Sequence, residues 1–83
     1  MAKHSHDFVE HYDGFLGYGM DREIDEATLQ VYLQKFSDDE LMKIMLKRMS
    51  DEELGEFFEI ISKILKKYLS EPEYHMYFLK DDA

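Results

Sequence analysis

The stretch FSDDELMKIMLKRMSDEELGEFF, which begins at Phe36, contains the same helix-starting pattern twice. Ser37 and Ser50 are each followed three residues later by a glutamate, which is the spacing of a capping box. The serine hydroxyl accepts from the third backbone N–H, and the glutamate accepts from the serine N–H, so amides without a helical partner are satisfied. Leu41 and Leu54 follow the two glutamates at the position of the hydrophobic staple. The pattern predicts two short helices joined by a corner with almost no loop.

The same pattern occurs at two further places in the chain. Ser70 with Glu73 repeats it fully, and Asp25 is a weaker candidate cap for which Asp21 competes. Apolar residues at helical spacing near the N-terminus predict a short additional helix that ends at Gly14. The predicted helices span residues 5–13, 26–36, 38–48, 51–69 and 71–80.

These boundaries predict the fold class, which is all-α: a compact bundle of four to five short helices with tight, nearly loopless corners. A chain of 83 residues with 45% hydrophobic content is expected to form one helical domain over residues 1–83. Residues 1–20 form its N-terminal segment and a loop rich in glycine and aromatic residues, and residues 21–80 form its helical core. Whether the loop over residues 14–20 binds a ligand stays open at this point.

Apolar spacing predicts which helix faces are buried. The stripe in the helix at 26–36 consists of Leu29, Tyr32, Leu33 and Phe36. The stripe in the helix at 51–69 consists of Leu54, Phe57, Phe58, Ile61, Ile64, Leu65 and Tyr68. The helix at 38–48 is apolar around most of its circumference, so it is predicted to be central, with Ile44 and Leu46 buried. Burial in the chain's own core and burial in a second copy remain alternatives.

Charge and composition exclude several classes of function. Ten basic against 19 acidic residues give a formal charge of −9, which repels the phosphates of nucleic acids and anionic lipid headgroups. No serine-hydrolase elbow, phosphate loop or dinucleotide fingerprint occurs, so neither catalytic residues nor a cofactor are predicted. The chain has no cysteine, no signal peptide and no apolar run long enough for a membrane span. A soluble, cytoplasmic protein is therefore expected.

The leading functional hypothesis is a small acidic protein–protein interaction or adaptor domain without intrinsic catalysis. The second and last predicted helices carry more apolar side chains than one neighbouring helix can cover. Methionine and tyrosine side chains suit an adaptable binding groove. The predicted partner is another protein or a second copy of the chain, bound by Met42, Met45, Met49, Tyr74, Met76, Tyr77 and Leu79.

The alternative hypothesis is a histidine-dependent protein that binds a metal ion or a small ligand. Imidazole nitrogens are common ligands of divalent metals, and three of the four histidines lie close together near the N-terminus. The spacing lacks the His-Glu-x-x-His pattern of a helical zinc site. The candidate ligands are His4, His6, His11 and His75.

Overall fold

A computed structural model describes His4 and residues 6–81 of the chain. Between residues 6 and 81 it contains helices and no strand, so the predicted all-α bundle of short helices is confirmed. The helices are α1 (Asp7–His11), α2 (Arg22–Phe36), α3 (Asp39–Arg48), α4 (Asp51–Tyr68) and α5 (Glu71–Glu73), which continues directly as a π-helical segment (Tyr74–Leu79). The corners after α2, α3 and α4 are each two residues long, as the capping pattern predicted.

Two of the predicted capping boxes are confirmed. At the start of α4, the Glu53 N–H donates to Ser50 Oγ (3.2 Å), and the Ser50 N–H donates to Glu53 Oε1 (2.9 Å). At the start of α5, the Glu73 N–H donates to Ser70 Oγ (3.3 Å), and the Ser70 N–H donates to Glu73 Oε1 (2.8 Å). Both helices therefore begin where local side-chain chemistry satisfies the first amides.

The predicted cap at Ser37 is wrong by one residue. Ser37 still belongs to the end of α2, because its N–H donates to the Leu33 carbonyl (2.9 Å) and its hydroxyl donates to the Gln34 carbonyl (3.0 Å). Asp38 takes over as the cap of α3 and accepts from the Leu41 N–H through Oδ2 (3.2 Å). Ser37 therefore ends α2, although the capping pattern assigned it to the start of α3.

The start of α2 also differs from the weaker prediction. Asp21 is the cap, and its Oδ1 accepts from the Ile24 N–H (2.9 Å), so α2 begins at Arg22 rather than at residue 26. The carboxylate of Asp25 accepts instead from the N–H groups of Gly19 (2.8 Å) and Met20 (3.3 Å) in the preceding loop. One aspartate therefore starts the helix while the other holds the loop to it.

The N-terminal helix is shorter than predicted. Ser5, with which the predicted range starts, lies outside the described residues, and α1 ends at His11 rather than at Gly14. Tyr12 then adopts an extended backbone, and its hydroxyl donates to the Phe15 carbonyl (2.8 Å). The Tyr12 ring passes so close to Gly14 that a Cβ there would lie 2.5 Å from the ring hydroxyl. Glycine thus leaves room for the Tyr12 ring at this position, and it does not act as the helix stop.

The chain divides into two compact units, residues 1–48 and residues 49–83. That all 83 residues form one domain stays a prediction. In the first unit α1 packs on α2, with Val9 and Val31 buried together with Thr28. The Val9 N–H donates to Gln34 Oε1 (3.0 Å), so a side chain of α2 also satisfies a backbone group of α1. The core of this unit is accordingly small and lies between these two helices.

This packing overturns the predicted buried face of α2. Leu29, Tyr32 and Leu33 are exposed by 52%, 66% and 58%. Thr28 and Val31 are the buried residues of α2 instead, and the Thr28 hydroxyl accepts from the Gly17 N–H of the preceding loop.

The predicted central position of α3 is also wrong. Ile44 and Leu46 are 46% and 40% exposed, and α3 has no buried residue. The reason is that packing among the described residues of the first unit is concentrated between α1 and α2. An apolar circumference therefore does not place this helix in a core. No helix in the described part of the chain is both long enough and apolar enough to cross a bilayer.

Candidate functional site

The apolar side of α4 is the most extensive exposed apolar surface on a single helix of the chain. Every residue from 51 to 64 is exposed, and α4 has no buried residue. The prediction that its stripe is buried in the core is therefore wrong. Its exposed apolar side chains are Leu54 (37%), Phe57 (45%), Phe58 (74%), Ile60 (57%), Ile61 (52%), Ile64 (53%) and Tyr68 (69%). We call these seven residues the α4 stripe.

Local chemistry explains why this segment is nevertheless a regular helix. The capping box at Ser50 satisfies its first amides, and acidic residues occupy its first turn while Lys66 and Lys67 occupy its last turn. Both placements suit the helix dipole. At 18 residues the helix is about 27 Å long, enough to present a continuous docking face. The ammonium of Lys67 lies over the Tyr68 ring, 5.4 Å from its centre, so a cation contacts the C-terminal end of the stripe.

The seven predicted partner-binding residues lie in both units. Met42 and Met45 are on α3, and Met49 is in the corner that follows; all three are half-buried. The other four lie in the π-helical segment, where Tyr74 is half-buried and the remaining three are exposed. Their exposed fractions are 61% for Met76, 62% for Tyr77 and 43% for Leu79. Their role in binding stays a prediction.

The π-helical segment is closed by an unusual backbone conformation. Lys80 is in the left-handed region with φ of 58°, and the N–H groups of Lys80 and Asp81 both donate to the His75 carbonyl. The rings of Tyr74 and Phe78 stack with their centres 5.3 Å apart. This wider turn is uncommon in helices and is found frequently at functional sites. It was not predictable from apolar spacing.

An open cleft of about 480 Å³ lies at the corner between α4 and α5. Its walls combine the apolar side chains of Leu65 and Leu69 with the charged groups of Lys66 and Glu71. It is too open to enclose a small ligand, since such sites bury most of the ligand surface. The lining residues are Ser62, Leu65, Lys66, Leu69, Ser70, Glu71 and Tyr74.

The four histidines do not form a common site in the part of the chain that the structure describes. His6 Nε2 shares a hydrogen bond with Ser37 Oγ (2.8 Å), and His75 Nδ1 shares one with Asp81 Oδ1 (2.9 Å). His4 donates its backbone N–H to a glutamate, and His11 is exposed at the end of α1. Among the described residues, no three His, Asp or Glu side chains are grouped as metal ligands. Metal binding stays the alternative hypothesis.

Two contacts that hold the glycine-rich loop were not predicted from the sequence, where Asp25 was considered only as a helix cap. Thr28 is buried, and its Oγ1 accepts from the Gly17 N–H (3.0 Å), while Asp25 accepts from the next part of the same loop. A glycine-rich segment followed by polar residues one turn apart is the signal that could have indicated this. The loop is thus fastened to α2 through the amides of Gly17, Gly19 and Met20.

The capping box of α5 is expected to weaken in acid. The Ser70 backbone and side-chain hydrogen bonds both lower the pKa of Glu73 below its usual 4.5, because they favour the charged carboxylate. The contribution to stability is therefore complete above pH 4.5 and is lost as the pH falls through the lowered value. We expect the Ser70 amide resonance to titrate with a midpoint below 4.5. In Glu73→Gln this titration should disappear, and a midpoint at or above 4.5 would contradict the assignment.

The α4 stripe and the exposed side of the π-helical segment are thus the apolar surfaces that the second unit presents. Neither is accompanied by a group of three or more potential metal ligands among the described residues. Comparison with protein-family models, with curated proteins and with solved structures finds no match to this chain.

Proposed function

We propose that this chain is a small acidic protein–protein interaction domain that works in the cytoplasm and has no catalysis of its own. The observation that carries the proposal is the exposure of the α4 stripe along a capped, regular helix. Contiguous apolar patches of this kind on small proteins are generally covered by a partner. An amphipathic helix face with anchors at i, i+3, i+4 and i+7 is a common mode of recognition between proteins.

Charge supports a protein partner over a nucleic acid. The net charge of −9 and the acidic first half of α4 oppose the approach of phosphates. Acidic residues beside an apolar stripe favour partners that combine apolar side chains with lysine or arginine, because complementary charges accelerate encounter and exclude wrong partners. The lack of cysteine suits a reducing compartment.

The proposal is tested by asking whether something covers the stripe in the protein's own environment. Because the chain has no cysteine, a single thiol can be placed at Ile61→Cys, in the middle of the stripe, or at Lys63→Cys on the opposite side. In a native extract of cells that produce the protein, we expect alkylation at position 61 to be slower than at position 63 by about tenfold, after each rate is normalised to the denatured chain.

The matched position 63 controls for the extract and for the reactivity of the helix. Equal normalised rates at the two positions would show that nothing covers the stripe, and the interaction-domain proposal would then fail. Protection at both positions would indicate aggregation or burial of the whole helix, which also contradicts the proposal. Protection confined to position 61 supports it, whatever the partner is.

A further inference from the structure

We propose that the partner of the α4 stripe is a second copy of this chain, with the two α4 helices packed antiparallel. This inference rests on the proposed function and specifies its partner. It follows from three properties of α4: the spacing of the stripe, the distribution of charge along the helix, and the extent of the apolar surface. Each property can be read from residues in the second unit alone.

The spacing of the stripe is that of a two-helix seam. Its central positions follow one another at intervals of three and four residues, which is the heptad repeat of helices that pack side by side. Two further members, Phe58 and Ile60, flank this seam and widen the apolar face. The five seam residues are Leu54, Phe57, Ile61, Ile64 and Tyr68.

The charge along α4 is divided between its two halves. All five acidic residues lie between positions 51 and 59, and all three lysines lie between positions 63 and 67. Two copies packed parallel would place acid beside acid and lysine beside lysine, which is unfavourable. Two copies packed antiparallel would place the acidic half of each helix beside the basic half of the other. The sequence of charges therefore selects a second copy in the antiparallel orientation.

One pair of charges lies at the edge of the seam. Glu53 and Lys67 are 14 residues apart, which is two heptads, so they lie along the same edge of the helix. Full overlap of two antiparallel copies brings the first turn of one helix beside the last turn of the other. Glu53 of each copy then lies beside Lys67 of the second copy, and the two-fold axis makes this contact twice. The contact between the Lys67 ammonium and the Tyr68 ring already places this ammonium at the same edge.

The surface is large enough for a specific interface. Seven side chains are each exposed by between 37% and 74%. Since a buried aromatic side chain removes about 150–250 Å² from water, two copies would bury on the order of 1,000 Å². That is about the minimum for a specific interface, so a dimer of moderate affinity is expected rather than an obligate one.

The first test is the mass of the purified full-length chain in sedimentation equilibrium across a range of concentrations. We expect a reversible monomer–dimer equilibrium, and we expect Ile61→Lys to be monomeric at every concentration with its helical circular dichroism retained. A wild-type chain that stays monomeric, or that forms a larger assembly, would overturn the second-copy proposal. Protection of the stripe in the cell extract would then still support an interaction with another protein, so the two proposals fail separately.

The second test addresses orientation. Lys67→Glu places a carboxylate beside Glu53 of the second copy, and we expect it to weaken dimerisation about tenfold, because two contacts are affected. Lys66→Glu is the matched control: it lies in the same helical turn but faces away from the seam, so it should leave the dimerisation constant almost unchanged.

Adding Glu53→Gln to Lys67→Glu completes the orientation test. Glutamine at this position preserves the capping box, so the start of the helix is maintained while the repelling charge is removed. An antiparallel dimer should regain most of its lost affinity. In a parallel dimer Glu53 of one copy and residue 67 of the other lie at opposite ends of the helix pair, about 21 Å apart along the axis, so Glu53→Gln would bring no recovery. Absence of recovery, or an equal effect of Lys66→Glu, would overturn the antiparallel arrangement.

Discussion

Val31→Asp is expected to unfold the unit formed by residues 1–48. Val31 is 3% exposed, on the side of α2 that packs against α1. An unpaired carboxylate there costs roughly 3–5 kcal/mol. A small unit whose core contains few residues has a total stability of only a few kcal/mol. We expect backbone amide exchange throughout α1 and α2 to become as fast as in the unfolded chain, measured by NMR on the full-length protein.

Leu33→Asp is the matched control, because it makes the same kind of change two residues away. Leu33 is 58% exposed, so its carboxylate would remain in water and the free energy of unfolding should change by only about 0.5 kcal/mol. This pair also separates the observed packing from the apolar stripe that the sequence favours. Unfolding by Leu33→Asp with tolerance of Val31→Asp would show that the stripe is buried after all.

The contrast between these two residues explains why helix faces were harder to predict than helix ends. The spacing of Leu29, Tyr32, Leu33 and Phe36 identifies an apolar side of α2 correctly, but it does not say what covers that side. A core needs a second element, and α1 is short and is placed by its own contacts, including the bond from Val9 to Gln34. Periodicity on one helix contains no information about those contacts.

Helix starts were predictable because their chemistry is local. Ser50 and Ser70 each find their partners within three residues, so no distant contact can change the outcome. Ser37 shows the limit of this reasoning. Its hydroxyl donates to the nearby Gln34 carbonyl instead of accepting from an amide of α3, and it also shares a hydrogen bond with His6, which is 31 positions away. Where two helices meet without a loop, the same residue can serve either of them.

Six of the seven residues of the α4 stripe were predicted from the sequence to share one face, with Leu65 in place of Ile60, but their exposure was not predicted. All its seam positions were identified as one apolar side, and only their burial in a core of the same chain was wrong. The same apolar free energy, roughly 25 cal/mol per Å², is gained whether the surface is covered by the chain itself or by another molecule. The charge order along the helix is the further sequence feature on which the proposed antiparallel second copy rests.

Thr28→Val is expected to release the loop that precedes α2. Thr28 is 4% exposed, and its hydroxyl accepts from the Gly17 N–H at 3.0 Å. Valine has nearly the same shape but no acceptor, so this amide loses its partner at a cost of about 1–3 kcal/mol. We expect hydrogen exchange at the Gly17 amide to accelerate by about tenfold or more. The Gly19 amide should respond less, because Asp25 still accepts from it.

Exchange at Gly17 is the informative measurement because global stability combines two opposing effects. The new methyl group of valine gains apolar burial inside the small core, which offsets part of the lost hydrogen bond in the free energy of unfolding. Thr28→Ser separates the two contributions, since it keeps the acceptor and removes the methyl group. It should lower the melting temperature while leaving Gly17 protected. If the Gly17 amide exchanged fast in Thr28→Ser and slowly in Thr28→Val, packing of the methyl group rather than the hydroxyl would hold the loop on α2.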